Sequence, residues 1–212
     1  MKISYDNIQH LYAKNGFRFY DKGDFNINIF AIRRQLNTNE FDDLIGIAYK
    51  NDYECVEIFR ATTDPGRFYL RNPMNKKGTA ILVEGQYKYK IGLHKGKEAL
   101  VQNGAVKVFR DNNSDSIHDK KFIDTGFFGI NIHRAGNDSK QIDKWSAGCQ
   151  VFAVETQFER FLEIINESKR YSAIVLLILF LSSCNPQKQL QRLIKKNPEL
   201  LQLDTIRIID TV

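Results

Sequence analysis

A mainly β fold, a sandwich or barrel carrying a few short helices, is predicted by three features of this sequence. Short apolar segments recur at close intervals up to about residue 171. Turn-forming pairs and triplets separate them. Only two helical patterns interrupt the series. Many short strands with few helices must bury their apolar faces by packing sheet on sheet, or by closing one sheet on itself.

The elements follow in order. Asp6 to Asn15 predicts an amphipathic helix through Ile8, Leu11 and Tyr12, stopped at Asn15-Gly16. Phe25 to Ile32 alternates, Phe25, Ile27 and Ile29 against Asn26, Asn28 and Phe30, and predicts a strand with one wetter face. Further strands are expected at Leu44–Lys50, Glu54–Ala61, Arg67–Arg71, Thr79–Val83, Tyr87–Leu93 and Ala105–Arg110. Asp64-Pro65-Gly66, Glu84-Gly85 and Asn103-Gly104 supply turn geometry between them. Thr156-Gln157-Phe158-Glu159 reads as a capping box opening a second helix, with Phe158, Phe161, Leu162 and Ile165 on one stripe.

The organisation is a body of residues 1–171 followed by a tail of residues 172–212. In the tail, Lys169-Arg170 precede the apolar run Ala173–Leu181 and then Ser182-Ser183-Cys184. That order has the form of a lipoprotein signal, yet it is internal and short for a bilayer crossing, which needs about 20 residues. It reads three ways: a final buried strand, a membrane or lipid anchor through residues 173–184, or a fused reading frame. A basic amphipathic helix is expected over Gln187–Gln202, broken at Pro198. No apolar stretch of secretory type opens Met1 to Lys14.

Composition narrows the function. The 212 residues carry 31 Lys and Arg against 25 Asp and Glu, for a net charge of +6. The basic residues are scattered, so they read as solvated surface rather than a nucleic-acid footprint. Three cysteines, Cys55, Cys149 and Cys184, form no CxxC pair, which argues against a disulfide framework or a zinc knuckle. Cys55 lies in a strand pattern and reads as inert core. No metal or other cofactor is called for.

The chemistry concentrates in Gly126 to Phe152. Phe128, Ile130 and Ile132 alternate with Gly129, Asn131 and His133, which sets His133 on the face opposite the apolar one. A polar loop leads to Trp145-Ser146-Ala147-Gly148-Cys149, and apolar Val151 to Val154 then predict a second strand. His133 precedes Cys149 by 16 positions (149 − 133), a gap that two neighbouring strands can close. A histidine beside a thiol removes its proton or holds the thiolate, giving a nucleophile for an amide carbonyl. Gly148 lets the backbone come close, and its amide with that of Cys149 is a candidate oxyanion donor. Ser146 is placed to bond the histidine or the substrate. The group orienting His133 is not identifiable; a backbone carbonyl would serve. The competing reading of Cys149 is a buried strand cysteine.

His133 followed by Ser146-Ala147-Gly148-Cys149 resembles the active-site signature of L,D-transpeptidase (YkuD-like) catalytic domains. The resemblance is to a divergent phage and prophage branch. It extends through Ala61-Thr62-Thr63-Asp64-Pro65-Gly66, Gly78-Thr79-Ala80, Gly85-Gln86-Tyr87, Gly92-Leu93-His94-Lys95-Gly96, Ile132-His133-Arg134-Ala135 and Trp145 to Phe152. It implies a mainly β fold and acyl transfer through Cys149 on the stem peptides of peptidoglycan, without nucleic acid as a partner. The acyl-enzyme would be resolved by an amine or by water, at the cell wall. Arg134, Trp145, Ala147, His94 and Tyr87 are the candidate substrate contacts. Ala147 and Val151 depart from the family pattern, which usually has His or Arg at the first position and Arg at the second. The loss at Val151 favours a lytic peptidase over a cross-linking enzyme. The other class of reading is a catalytically inactive wall-binding or virion structural module.

Overall fold

The structure, a computed structural model, describes residues 3–34, 39–168, 175–180 and 206–209. Among the described residues it is mainly β, with two sheets and three helices. The strands are β1 (Asn28–Ile32), β2 (Asp43–Asn51), β3 (Tyr53–Thr62), β4 (Thr79–Leu82), β5 (Gly85–His94), β6 (Lys97–Gln102), β7 (Val106–Asp111), β8 (Phe122–Gly126), β9 (Ile132–Arg134), β10 (Gln150–Phe152), β11 (Val175–Phe180) and β12 (Ile206–Ile209). The helices are α1 (Tyr5–Lys14), α2 (Arg67–Arg71) and α3 (Glu155–Ser168).

The larger sheet runs β10-β9-β6-β5-β11-β1-β2-β3-β12, and a further pairing of β10 with β3 closes all but β12 into a ring. Closure removes the exposed edges that an open sheet would present. The smaller sheet is β4-β7-β8. One apolar core joins Ile29, Ile45, Ile47, Phe59, Leu100, Ile132 and Phe152 of the ring to Leu82, Val106 and Val108 of the small sheet. Phe158, Phe161 and Ile165 of α3 enter the same core, where Phe161 meets both Phe59 and Phe152. The alternate residues Phe30, Ala48, Val56 and Ile58 point to the opposite face, which α1 covers with Tyr5, Ile8 and Tyr12. Both faces of β1–β3 are therefore dry.

α1 starts after Ser4, whose hydroxyl accepts the Asn7 N–H, and ends at Asn15 before a left-handed Gly16. β1 corrects the expected wet face. Phe25 has a positive φ and stays outside the strand, and Asn28 is buried, bonding Tyr20 from both ends of its amide. Arg67–Arg71, expected as a strand, is the helix α2, started by the turn at Asp64-Pro65-Gly66. α3 begins at Glu155, and the first bond back, from Phe158 N–H, goes to the Val154 carbonyl. Thr156 thus lies inside the helix and caps nothing, although the stripe of Phe158, Phe161, Leu162 and Ile165 is buried as expected.

Of the tail, Val175–Phe180 is a strand, β11, parallel to β1 and antiparallel to β5. The expected Ser182-Ser183-Cys184 motif and the helix over Gln187–Gln202 lie outside the described residues. Among the described residues no helix is long and apolar enough to cross a membrane.

Candidate active site

Parallel pairing of β9 with β10 solves the 16-residue gap. The register sets Gln150 beside Ile132, Val151 beside His133 and Phe152 beside Arg134. One step back in that register, Cys149 falls beside Asn131, and Gln150 N–H donates to the Asn131 carbonyl at 2.9 Å. Ile132 and Phe152 face the core. Cys149, Val151 and Ala153 face the other way, under Phe41, Ala135 and Ile142. Strand alternation puts His133 on this same outer face, diagonal to Cys149.

The imidazole is oriented by a backbone carbonyl. His133 Nδ1 lies 2.9 Å from the Arg134 carbonyl oxygen. A carbonyl only accepts, so Nδ1 carries the hydrogen and Nε2 keeps its lone pair. Nε2 is buried and has no hydrogen-bond partner. His133 is 8 % exposed. Burial pushes its pKa down to about 4, with His94 and Lys95 adding to the fall and the Arg134 carbonyl opposing it. It is a neutral ring with a free acceptor nitrogen.

The sulfur is less open. Cys149 is 9 % exposed, and its thiol donates to the Gly129 carbonyl at 3.4 Å. Burial raises its pKa, while the Asn131 backbone N–H and the charge of Lys95 favour the thiolate. The thiol and Nε2 are not hydrogen-bonded to each other. At neutral pH the pair is thiol and imidazole, not thiolate and imidazolium.

Two expected roles are corrected by the turn that carries the sulfur. The Ser146 hydroxyl donates to the Cys149 carbonyl at 2.8 Å and accepts the Gly148 N–H at 3.1 Å. Ser146 is fully buried and braces its own turn, reaching neither His133 nor a cleft. The Gly148 amide, bound to that hydroxyl, is not free for an oxyanion. Glycine is needed there for another reason: its φ is +126°, and a Cβ would sit 2.6 Å from the Ala80 carbonyl oxygen.

A cleft of about 450 Å³ opens over His133. His94, Lys95, Arg134, Trp145 and Glu155 are among its walls, and Cys149 is not. Trp145 is 44 % exposed. Arg134 is tied to Glu155 by an ion pair of 2.5 Å. His94 ends β5 at a two-residue hairpin, Lys95-Gly96, in which both φ angles are positive. That hairpin brings its ring onto His133, stacked at 4.2 Å between centroids and 10° between planes.

The remaining candidates separate. Tyr87 is buried core, its hydroxyl donating to the Val83 carbonyl, so it does not line the cleft. Ala147 is half-buried and outside the cleft walls. Val151 is fully buried beside His133, at a position with no room to hold a substrate. Cys55 is buried among core residues. Among the described residues no cluster of His, Cys, Asp and Glu is arranged to hold a metal ion.

Asn131, which bonds His94 and the Gln150 N–H, is the member of this site that the sequence does not signal. One asparagine in a strand carries no spacing signal. Its place two residues before His133, on the same strand face, is the only hint the sequence offers.

No family model, curated protein or solved structure matches this chain.

Proposed function

We propose that the chain is a cysteine-dependent enzyme of peptidoglycan stem peptides, working through an acyl-enzyme on Cys149. The observation that carries the reading is His133. It is held by a carbonyl in the tautomer of a general base, with a buried free Nε2, on the strand beside Cys149 and beneath a cleft. Most buried polar nitrogens are hydrogen-bonded, so an unpartnered Nε2 beside a cysteine supports a role in chemistry. The His133 and Ser146-to-Cys149 motif, with its resemblance to L,D-transpeptidase domains, supports the substrate class.

In the reaction the thiol leaves the Gly129 carbonyl and passes its proton to His133 Nε2 as sulfur attacks the peptide carbonyl. The C–N bond breaks, and the leaving amine takes the proton from the imidazolium. Water then resolves the thioester, with His133 again as base. An amine acceptor would give transpeptidation instead. The apolar, buried Val151 supports hydrolysis over cross-linking.

One observation favours a second reading, a wall-binding module without catalysis. The thiol is buried and bonded to a carbonyl rather than to the imidazole. Incubating the full chain with purified muropeptides, wild type beside Cys149→Ala, separates the two by mass spectrometry of the products. Cleaved or exchanged stem peptides from the wild type alone are expected. Binding of peptidoglycan without any product would favour the inactive module.

A further inference from the structure

Asn131 links the strand of Cys149 to the ring stacked on His133, and its side chain fixes a proton that no other group fixes. Its side-chain oxygen accepts the Gln102 backbone N–H at 3.0 Å. A backbone N–H can only donate, so the amide cannot be turned around, and its nitrogen must face His94. That nitrogen lies 3.0 Å from His94 Nδ1. An amide N–H₂ can only donate, so His94 Nδ1 is an acceptor without hydrogen. His94 is then neutral, with its hydrogen on Nε2. Through its backbone carbonyl the same Asn131 accepts the Gln150 N–H, which fixes the strand register next to Cys149.

We propose that Asn131 is the positioning residue of this site, locking His94 as a neutral ring against which His133 stacks while its backbone carbonyl anchors Gln150, the neighbour of Cys149. This rests on the reading of His133 as the base for Cys149. When His133 takes the thiol proton it becomes an imidazolium lying flat on His94 at 4.2 Å. A protonated His94 would meet it as a second cation. A neutral His94 removes that repulsion between two charged rings. The asparagine decides which of the two occurs.

The other charges facing the stacked rings come from each neighbouring element. Lys95 lies in the hairpin, Lys97 and Glu98 on β6, Arg134 on β9 and Glu155 on α3. Arg134 and Glu155 neutralise each other. Lys95 disfavours protonation of both rings, and burial acts in the same direction on both. None of these groups donates a hydrogen bond to His94 Nδ1, so none replaces the asparagine.

The test uses the ¹⁵N-labelled full chain and follows the imidazole nitrogens by NMR through a pH titration. Wild type, Asn131→Asp and Asn131→Leu are compared, and His94→Gln assigns the His94 signals. In the wild type, His94 is expected to carry its hydrogen on Nε2 and to titrate below the ordinary histidine range, because burial and Lys95 disfavour its charge. Asn131→Asp keeps the acceptor for Gln102 but replaces the amide donor by a carboxylate. Its His94 midpoint should rise by about one unit or more, and its His133 midpoint should fall. The acid limb of muropeptide turnover should move up with His94, whereas a merely structural asparagine would lower turnover equally at every pH. A wild-type His94 with hydrogen on Nδ1, or an Asn131→Asp chain whose histidines titrate as wild type, would overturn the proposal. The aspartate variant answers the question even if Asn131→Leu does not fold. The NMR result stands apart from activity, so a chain that turns over no muropeptide counts against the proposed function and not against the lock.

Discussion

Two polar groups are buried on either side of the turn at Ser146, and they are built on opposite rules. On one side, Arg33, Asp43, Thr63 and Asp64 form an ionic cluster. Arg33 donates to the Thr63 hydroxyl and carbonyl and to the Leu82 carbonyl, and lies 2.9 Å from Asp64. Asp43 accepts the Arg34 and Thr63 N–H groups and the Thr63 hydroxyl. On the other side, His133 leaves Nε2 without a partner, and the Cys149 sulfur bonds the Gly129 carbonyl. The Gly66 N–H donates to the Ser146 carbonyl and ties the two sides together. Buried charge is costly unless paired, so the ion-paired side is scaffold, although Asp64 Oδ1 itself accepts no hydrogen bond, and the side of His133 and Cys149 is buried neutral.

The contrast predicts different penalties on the two sides. Arg33→Met should be the most damaging change to the fold, because it strands Asp64 without its cation. A loss of about 3–5 kcal/mol is expected in urea denaturation, and a loss below about 1 kcal/mol would remove the distinction.

Acid should act on the other side. His133 has a folded pKa of about 4, below the ordinary histidine value, so the unfolded chain binds its proton first. Stability from this residue is full above about pH 6.5 and falls as the pH drops toward 4, by up to about 3 kcal/mol. Asp43, raised by burial and by the neighbouring carboxylates of Asp64 and Asp42, acts in the reverse sense. Subtracting the profile of His133→Asn isolates the histidine: the variant should lose less stability on acidification while its turnover falls about 10²–10⁴-fold. Equal acid sensitivity in both chains would show that His133 is not buried neutral.

The turn joining the two sides sharpens the picture further. Gly148→Ala should cost about 1–3 kcal/mol, through its positive φ and the close Ala80 carbonyl. An unchanged melting temperature would mean that the turn yields without strain.

The sequence made the strands of both sheets legible where turns and alternation coincide, as in β2, β3, β4, β5 and β7. It hid β6 and β8 for different reasons. Lys97–Gln102 follows its partner after only two residues, and Phe122–Gly126 exposes much of its length, so neither shows a clean period. α2 deceived because Phe68, Tyr69 and Leu70 are as strand-like as helix-like, and the preceding turn decided between them. At the site, residue type and spacing pointed to Cys149 and His133. The Ser146 and Gly148 assignments failed because their donors and acceptors serve the turn itself, a matter of backbone direction that composition does not carry. The stack of His94 on His133 depends on a hairpin and a strand pairing far apart in the chain, and Asn131 becomes visible only when both are in place.

The central claim is that the Cys149 sulfur forms a bond to substrate. Intact-protein mass spectrometry of the full chain, acid-quenched during incubation with stem peptides, tests it directly. A mass increase equal to the acyl fragment, mapped to Cys149 and absent from Cys149→Ala, is the predicted result. An unmodified Cys149 in a chain that is releasing product would contradict it.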